Sequence, residues 1–197
     1  MPYTPSHKEQ TRQRILQAAA KLFCSNGFDR VTLTQIMKKA NMTHGAFYAH
    51  FAGKSSLYEA AMQFATSHAF WAREDKQTEY KASHLKALVI RYLSWSKNDK
   101  EHPSPLEFLV TDAAHKEKKV RQAYQICFDS LVDRLSTILQ NRGATNAKSL
   151  AEETVVSLVG TVAIARSIAQ PLQKDFLKRA QERIVYRLQN HEQLTQA

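Results

Sequence analysis

The sequence predicts an all-α protein, and three observations carry that reading. Gly and Pro are scarce, five of each in 197 residues. Apolar residues recur at spacings of three and four, and no strictly alternating run stands out. A hydrophobic content of 43% is that of a folded globular chain, not of a disordered one. The expected architecture is an N-terminal three-helix unit over residues 8–68, with a helix-turn-helix at about 31–50, and a larger helical domain over residues 69–197. About nine helices are expected in all.

The first helix is expected to start near Ser6 or Thr11 and to stop at Asn26-Gly27. Ile15, Leu16, Ala19, Leu22 and Phe23 form its apolar stripe, and Arg12, Arg14 and Lys21 lie off it. Phe28 and Val31 then read as core plugs in a connecting loop. Thr32-Leu-Thr-Gln35 fits a capping box that opens a second helix, with Leu33, Ile36, Met37 and Ala40 on the buried side. Asn41 follows where the corner needs a residue tolerant of left-handed backbone angles. Thr43 is expected to cap a third helix whose Phe47 and Phe51 share the inward side, so that Gly45, Ala46, Tyr48 and Ala49 face out. Gly53 breaks the chain before a long helix from Lys54 through His68. Further helices are expected at roughly 82–97, 105–114, 117–140, 147–169 and 172–189, the last two divided at Pro171.

The net charge of +10 is unevenly placed. Residues 1–54 hold eight basic residues (Lys8, Arg12, Arg14, Lys21, Arg30, Lys38, Lys39 and Lys54) against the acids Glu9 and Asp29. A basic balance concentrated in one segment suggests a polyanion partner, here double-stranded DNA. The outward face of the third helix supports this. Gly45, Ala46 and Ala49 make it thin enough to lie close to base edges, and Ala46 suits a thymine methyl. Thr32, Thr34, Thr43, His44, Tyr48 and His50 surround that face with donors for bases or phosphate oxygens. Lys54 starts a helix, so its charge and the helix amides would meet one phosphate together.

Residues 10–57 resemble the N-terminal domain of the TetR family of bacterial transcriptional regulators. The resemblance is carried by Ile15 to Phe23, Gly27-Phe28, Val31-Thr32, Ile36, Ala40, Gly45, Phe47-Tyr48, His50-Phe51, Lys54 and Leu57. The run Gly-Ala-Phe-Tyr-Ala-His-Phe-Ala-Gly-Lys is its most specific part. The resemblance implies that Tyr48 and Lys54 contact phosphates and that Thr43, His44 and Gly45 read bases. Asn41, where Gly is common, and His44, often Lys or Arg, depart from the family pattern.

In the C-terminal half, residues 147–169 are apolar nearly all round, so that helix must be covered on more than one side. Val155, Leu158, Val159 and Val162, with Ile184 and Leu188 of the last helix, are the expected homodimer seam. Phe64, Trp71, Tyr92, Trp95, Phe108, Tyr124, Cys127 and Phe128 concentrate aromatic content in one region, the expected lining of a small-molecule pocket. Cys127 reads as an inert buried thiol before it reads as a sensor. His68, His84, His102 and His115 lack ligand spacing, so neither a metal nor a cofactor is expected.

Together these features predict a ligand-responsive, sequence-specific repressor that binds a near-palindromic operator as a dimer and is released by a small molecule. A non-specific architectural DNA coater and a helical enzyme are the alternatives. No nucleophile–base set or paired carboxylates support an enzyme, since Glu152 and Glu153 are adjacent on a helix and point apart. The N-terminus lacks a signal-peptide pattern and the most apolar segment, 154–169, is too short for a bilayer, so a cytoplasmic protein without a membrane partner is expected.

Overall fold

The computed structural model describes residues 5–73, 82–95, 106, 110, 113 and 117–194, with the side chains of a few residues at segment ends left aside. Every described element is a helix: α1 (Pro5–Asn26), α2 (Leu33–Ala40), α3 (His44–Tyr48), α4 (Lys54–Ser67), α5 (Phe70–Arg73), α6 (Ala82–Trp95), α7 (Lys118–Gln140), α8 (Ala147–Ala165) and α9 (Leu172–Leu194). The expected helix at 105–114 falls largely outside the described residues. The chain divides into two compact units. One combines Met1–Ala69 with Lys100–Cys127, and the other combines Phe70–Asp99 with Phe128–Ala197. The first unit thus takes in a later segment that a single boundary at 68/69 leaves out.

In the first unit, α1 packs on α2 and α4, and α2 packs on α3. The α1 stripe is buried at Ile15, Leu16, Ala19 and Phe23, joined by Cys24. Burying a side chain the size of Ile or Phe is worth about 1.5–3 kcal/mol, so this stripe, more than helix propensity, holds α1 in place. Gly27 ends α1 at φ 80, a conformation glycine adopts without strain, and its N–H donates to the Phe23 carbonyl. The loop plugs behave as their apolar character demands. Val31 is buried, and Phe28 packs edge-on against Tyr58, with ring centroids 5.2 Å apart.

The corner between α2 and α3 forms as its residues dictate. Thr32 and Gln35 close the capping box, with the Gln35 N–H on Thr32 Oγ1 at 3.2 Å and the Thr32 N–H on Gln35 Oε1 at 2.8 Å. Asn41 sits in the left-handed region at φ 56, ψ 48, and its N–H closes back on the last turn of α2. Two expectations need correction. Thr43 takes the N-cap backbone of α3, but its hydroxyl makes no capping bond. Helix α3 ends at Tyr48, so Phe51 reaches the core from the turn beyond it, 6% exposed, stacked on the fully buried Phe47 at 5.9 Å.

The first half of α7 lies in the first unit. There Cys127 is buried against Thr66, whose hydroxyl shares a hydrogen bond with the thiol. Burial pushes the Cys127 thiol up to about 11, with the Thr66 contact acting weakly the other way. In the second unit, α6, α8 and α9 pack on one another. Helix α8 ends at Ala165, four residues before its expected stop, and α9 continues to Leu194, beyond the expected Gln189. Gly143, at φ 84, stops α7.

Cys24 and Cys127 are both fully buried, and a thiol near 11 is about one part in a thousand thiolate at pH 8. The native protein is therefore expected to leave Cys127 unmodified by iodoacetamide at pH 8 over an hour, with full alkylation once denatured. Rapid native labelling mapped to Cys127 would contradict the burial.

Candidate DNA-reading site

The site is built on the first unit by α2, α3 and the start of α4. Helix α3 has five residues, and Phe47 anchors it inward. That leaves His44, Gly45, Tyr48 and Ala49 exposed, with Ala46 half-buried. Tyr48 is 66% exposed. Its ring leans edge-on against Phe47 at 5.1 Å and His44 at 6.0 Å, which holds it against the helix end while its hydroxyl meets solvent. Gly45 has open space around it: a Cβ there would meet nothing within 4 Å. The fold does not need glycine at this point, so its smallness serves the outward face.

The two threonines at the helix starts have opposite roles. Thr32 accepts from the Gln35 N–H and donates its own proton to Gln35 Oε1 at 3.1 Å. The capping box uses the Thr32 hydroxyl as an acceptor, and its one proton goes to Gln35 here. Thr32 is exposed and serves as the cap of α2. Thr34 is exposed on α2, and Thr43 is exposed with its hydroxyl outside any capping bond. Both can serve a ligand.

Lys54 opens α4 and is half-buried, with Nζ 4.4 Å from the centroid of the Phe28 ring. A cation over an aromatic face gains about 0.5–1 kcal/mol at a partly exposed site, less than a charge-assisted bond to phosphate supplies. Lys54 can exchange that ring for a phosphate. Across from it, Gly53 N–H donates to Ser56 Oγ, and Ser55 Oγ donates to Glu117 Oε2 at 3.1 Å. His50 is half-buried beyond α3. Burial lowers its pKa below 6.5, the nearby Lys8 and Arg12 charges lower it further, and Glu9 opposes them. Near neutral pH this favours the uncharged imidazole, which can still hydrogen-bond.

The expected pocket residues fall in both units. In the first, Phe64 stacks on His68 at 4.0 Å, and the Tyr124 hydroxyl donates to the Leu106 carbonyl at 3.2 Å. In the second, Trp71 and Tyr92 are buried with rings 5.9 Å apart, and Phe128 is half-buried. Phe108 and the Trp95 side chain lie outside the described residues. Among the described residues no group of three or more His, Cys, Asp or Glu could hold a metal ion, and no helix is long and apolar enough to cross a membrane.

The expected dimer residues lie in the second unit. Val155, Leu158, Val159, Val162, Ile184 and Leu188 are all buried by the chain's own second unit, none more than 8% exposed. The apolar face of α8 left open is a different one, with Val156 61% and Ile164 55% exposed. These two line a groove of about 340 Å³ with Gly160, Phe176, Ala180 and the expected dimer residue Ile184, together with Arg183 and Arg187.

The geometry defines an all-helical protein with an N-terminal helix-turn-helix whose second helix is thin, exposed and flanked by hydrogen-bonding side chains. Residues 15–61 match the family of bacterial regulatory proteins described as the tetR family. The HTH-type transcriptional regulator SrpR of Pseudomonas putida is 44% identical over 59 residues, covering 30% of this chain and 28% of that protein. The chain thus matches less than a third of that relative's length. The nucleoid occlusion factor SlmA of Alteromonas mediterranea is 26% identical over 152 residues, 76% of this chain and 77% of that protein. A tetR-family transcriptional regulator from Agrobacterium tumefaciens shares the fold at a TM-score of 0.73 over 90% of this chain and 98% of its own, with 19% identity. The likeness to the tetR family of bacterial regulatory proteins is thus carried by the N-terminal segment, residues 15–61.

Three substitutions separate fold from reading. Thr32→Ala is expected to lower stability by about 1 kcal/mol through the lost cap, whereas Thr43→Ala changes stability by less than about 0.5 kcal/mol. Gly45→Ala is expected to hold or raise stability by up to about 1 kcal/mol, while weakening DNA binding because the added methyl faces the groove. Urea melts and DNA titrations on the same preparations check both. Loss of fold in Gly45→Ala would show that glycine there serves packing.

Proposed function

We propose that this chain is a sequence-specific DNA-binding transcriptional regulator that represses by occupying a near-palindromic operator as a homodimer. A small molecule bound in its helical second unit releases it. The observation that carries the reading is the exposed face of α3, where Gly45 and Ala49 leave the helix narrow and Tyr48, Thr43, His44 and Lys54 stand around it. A short helix in the major groove contacts few base pairs, so operator specificity calls for two copies with half-sites about one helical turn apart. The α8 groove supplies a surface for the second copy. Val156, Gly160 and Ile164 follow one another at helical spacing, and a Cβ on Gly160 would meet nothing within 4 Å, which allows a second helix to approach closely. Contiguous exposed apolar surface of this kind marks a contact site. Release follows if effector binding favours a dimer geometry in which the two α3 helices no longer match the operator spacing.

Two experiments test this reading. Fragments of the source genome are selected at physiological salt with wild type and with a Tyr48→Ala, Lys54→Ala double variant. Wild type is expected to enrich one inverted-repeat sequence and the variant none. Equal retention of random fragments by both would replace the reading with a non-specific DNA coater, whose binding falls steeply with salt. Separately, Ile164→Glu is expected to convert the dimer to monomer in sedimentation at micromolar concentration, whereas Leu158→Ala, deep in the core, lowers stability by about 2–5 kcal/mol without that specific conversion. A dimer that survives Ile164→Glu and Val156→Glu unchanged would place the seam elsewhere.

A further inference from the structure

Arg12 is one of three arginines in the basic N-terminal segment, yet its surroundings differ from those of its neighbours. Lys8 and Arg14 are exposed, whereas Arg12 is half-buried. Its guanidinium carbon lies 4.7 Å from the centroid of the Phe51 ring, and Nη1 donates to the His50 carbonyl at 3.4 Å. Phe51 stacks on Phe47, and Phe47 meets Tyr48 edge-on. A continuous series of contacts therefore runs from α1 through Arg12, Phe51 and Phe47 to Tyr48.

The end of α3 needs such a tie. Its five residues form too few internal hydrogen bonds to hold themselves in water. The His50 and Phe51 amides both close on the Phe47 carbonyl, at 2.9 and 3.0 Å, which leaves the His50 carbonyl just past the helix end in need of a donor. A guanidinium supplies that donor and a flat face for the ring at once, which lysine cannot do. The Arg12 charge is also felt at His50, where it lowers the imidazole pKa alongside burial and Lys8.

We infer that Arg12 is a positioning residue for the DNA-reading face, clamping the C-terminal end of α3 to α1 through the His50 carbonyl and the Phe51 ring, and is not itself a phosphate ligand. The inference rests on the DNA-binding reading for its consequence, but the clamp itself can be tested without DNA. In Arg12→Gln, backbone hydrogen exchange at His50 and Phe51 is expected to quicken roughly tenfold, while Leu57 in α4, bonded to Gly53, keeps its rate. Unchanged exchange at His50 and Phe51 would overturn the clamp, and faster exchange at all three amides would mean that the variant loosens the whole unit instead.

The DNA arm uses the enriched fragment and random DNA of equal length, titrated from 50 to 300 mM salt. Arg12→Gln is expected to lose roughly tenfold on the enriched fragment, with random-DNA binding and the salt slope unchanged, and Arg12→Lys is expected to recover part of the loss. Equal loss on both DNAs with a slope smaller by about 0.9 would make Arg12 a phosphate ligand and defeat the inference. If wild type enriches no fragment, the regulator reading fails, and the exchange rates still decide the clamp.

Discussion

A helix of five residues is about 7.5 Å long, little more than one turn, and cannot be stable by itself. That constraint governs the rest of the first unit. Everything α3 presents outward depends on what holds it from behind, and Phe47 and Phe51 do this. The two rings are buried and stacked, one on the helix and one beyond it. Because two large apolar side chains supply the anchoring, the outward side needs no packing residues, and glycine and alanine can stand there. The capping box at Thr32 and the left-handed Asn41 set the angle at which α2 delivers the chain into α3.

The polar groups around this face are divided by hydrogen-bond arithmetic more than by residue type. Thr32 and Thr43 occupy equivalent positions before their helices, yet one hydroxyl accepts a capping bond and the other does not. Lys54 and Arg12 are both cations over aromatic rings, and Arg12 also donates to the His50 carbonyl. A lysine over a ring gains about 0.5–1 kcal/mol from it, less than a charge-assisted bond to phosphate supplies. An arginine bonded on two sides is held more firmly.

The second unit shows where pattern reading stops. Helix α8 is apolar nearly all round, so its sequence has no preferred face. Which residues meet the chain's own core and which face out is decided by the packing of α6 and α9 against it. That packing buries Val155, Leu158 and Val162 and leaves Val156, Gly160 and Ile164 open. The aromatic residues between 64 and 128 were legible as a group for their composition alone. Trp71 and Tyr92 turn out to pack on each other, and Phe64 and Tyr124 belong with the first unit.

The sequence by itself determined the helical class, the two stops at Gly27 and Gly143, the capping box, the Asn41 corner and the inward pairing of Phe47 and Phe51. Each of these is local: it depends on spacing along one helix, on the backbone angles one residue tolerates, or on partners three residues apart. Only the tertiary structure decided that Arg12 is spent on the end of α3 and which face of α8 remains open. Those outcomes depend on partners brought together across the fold or on how hydrogen-bond donors are shared, and neither leaves a periodic trace in the chain.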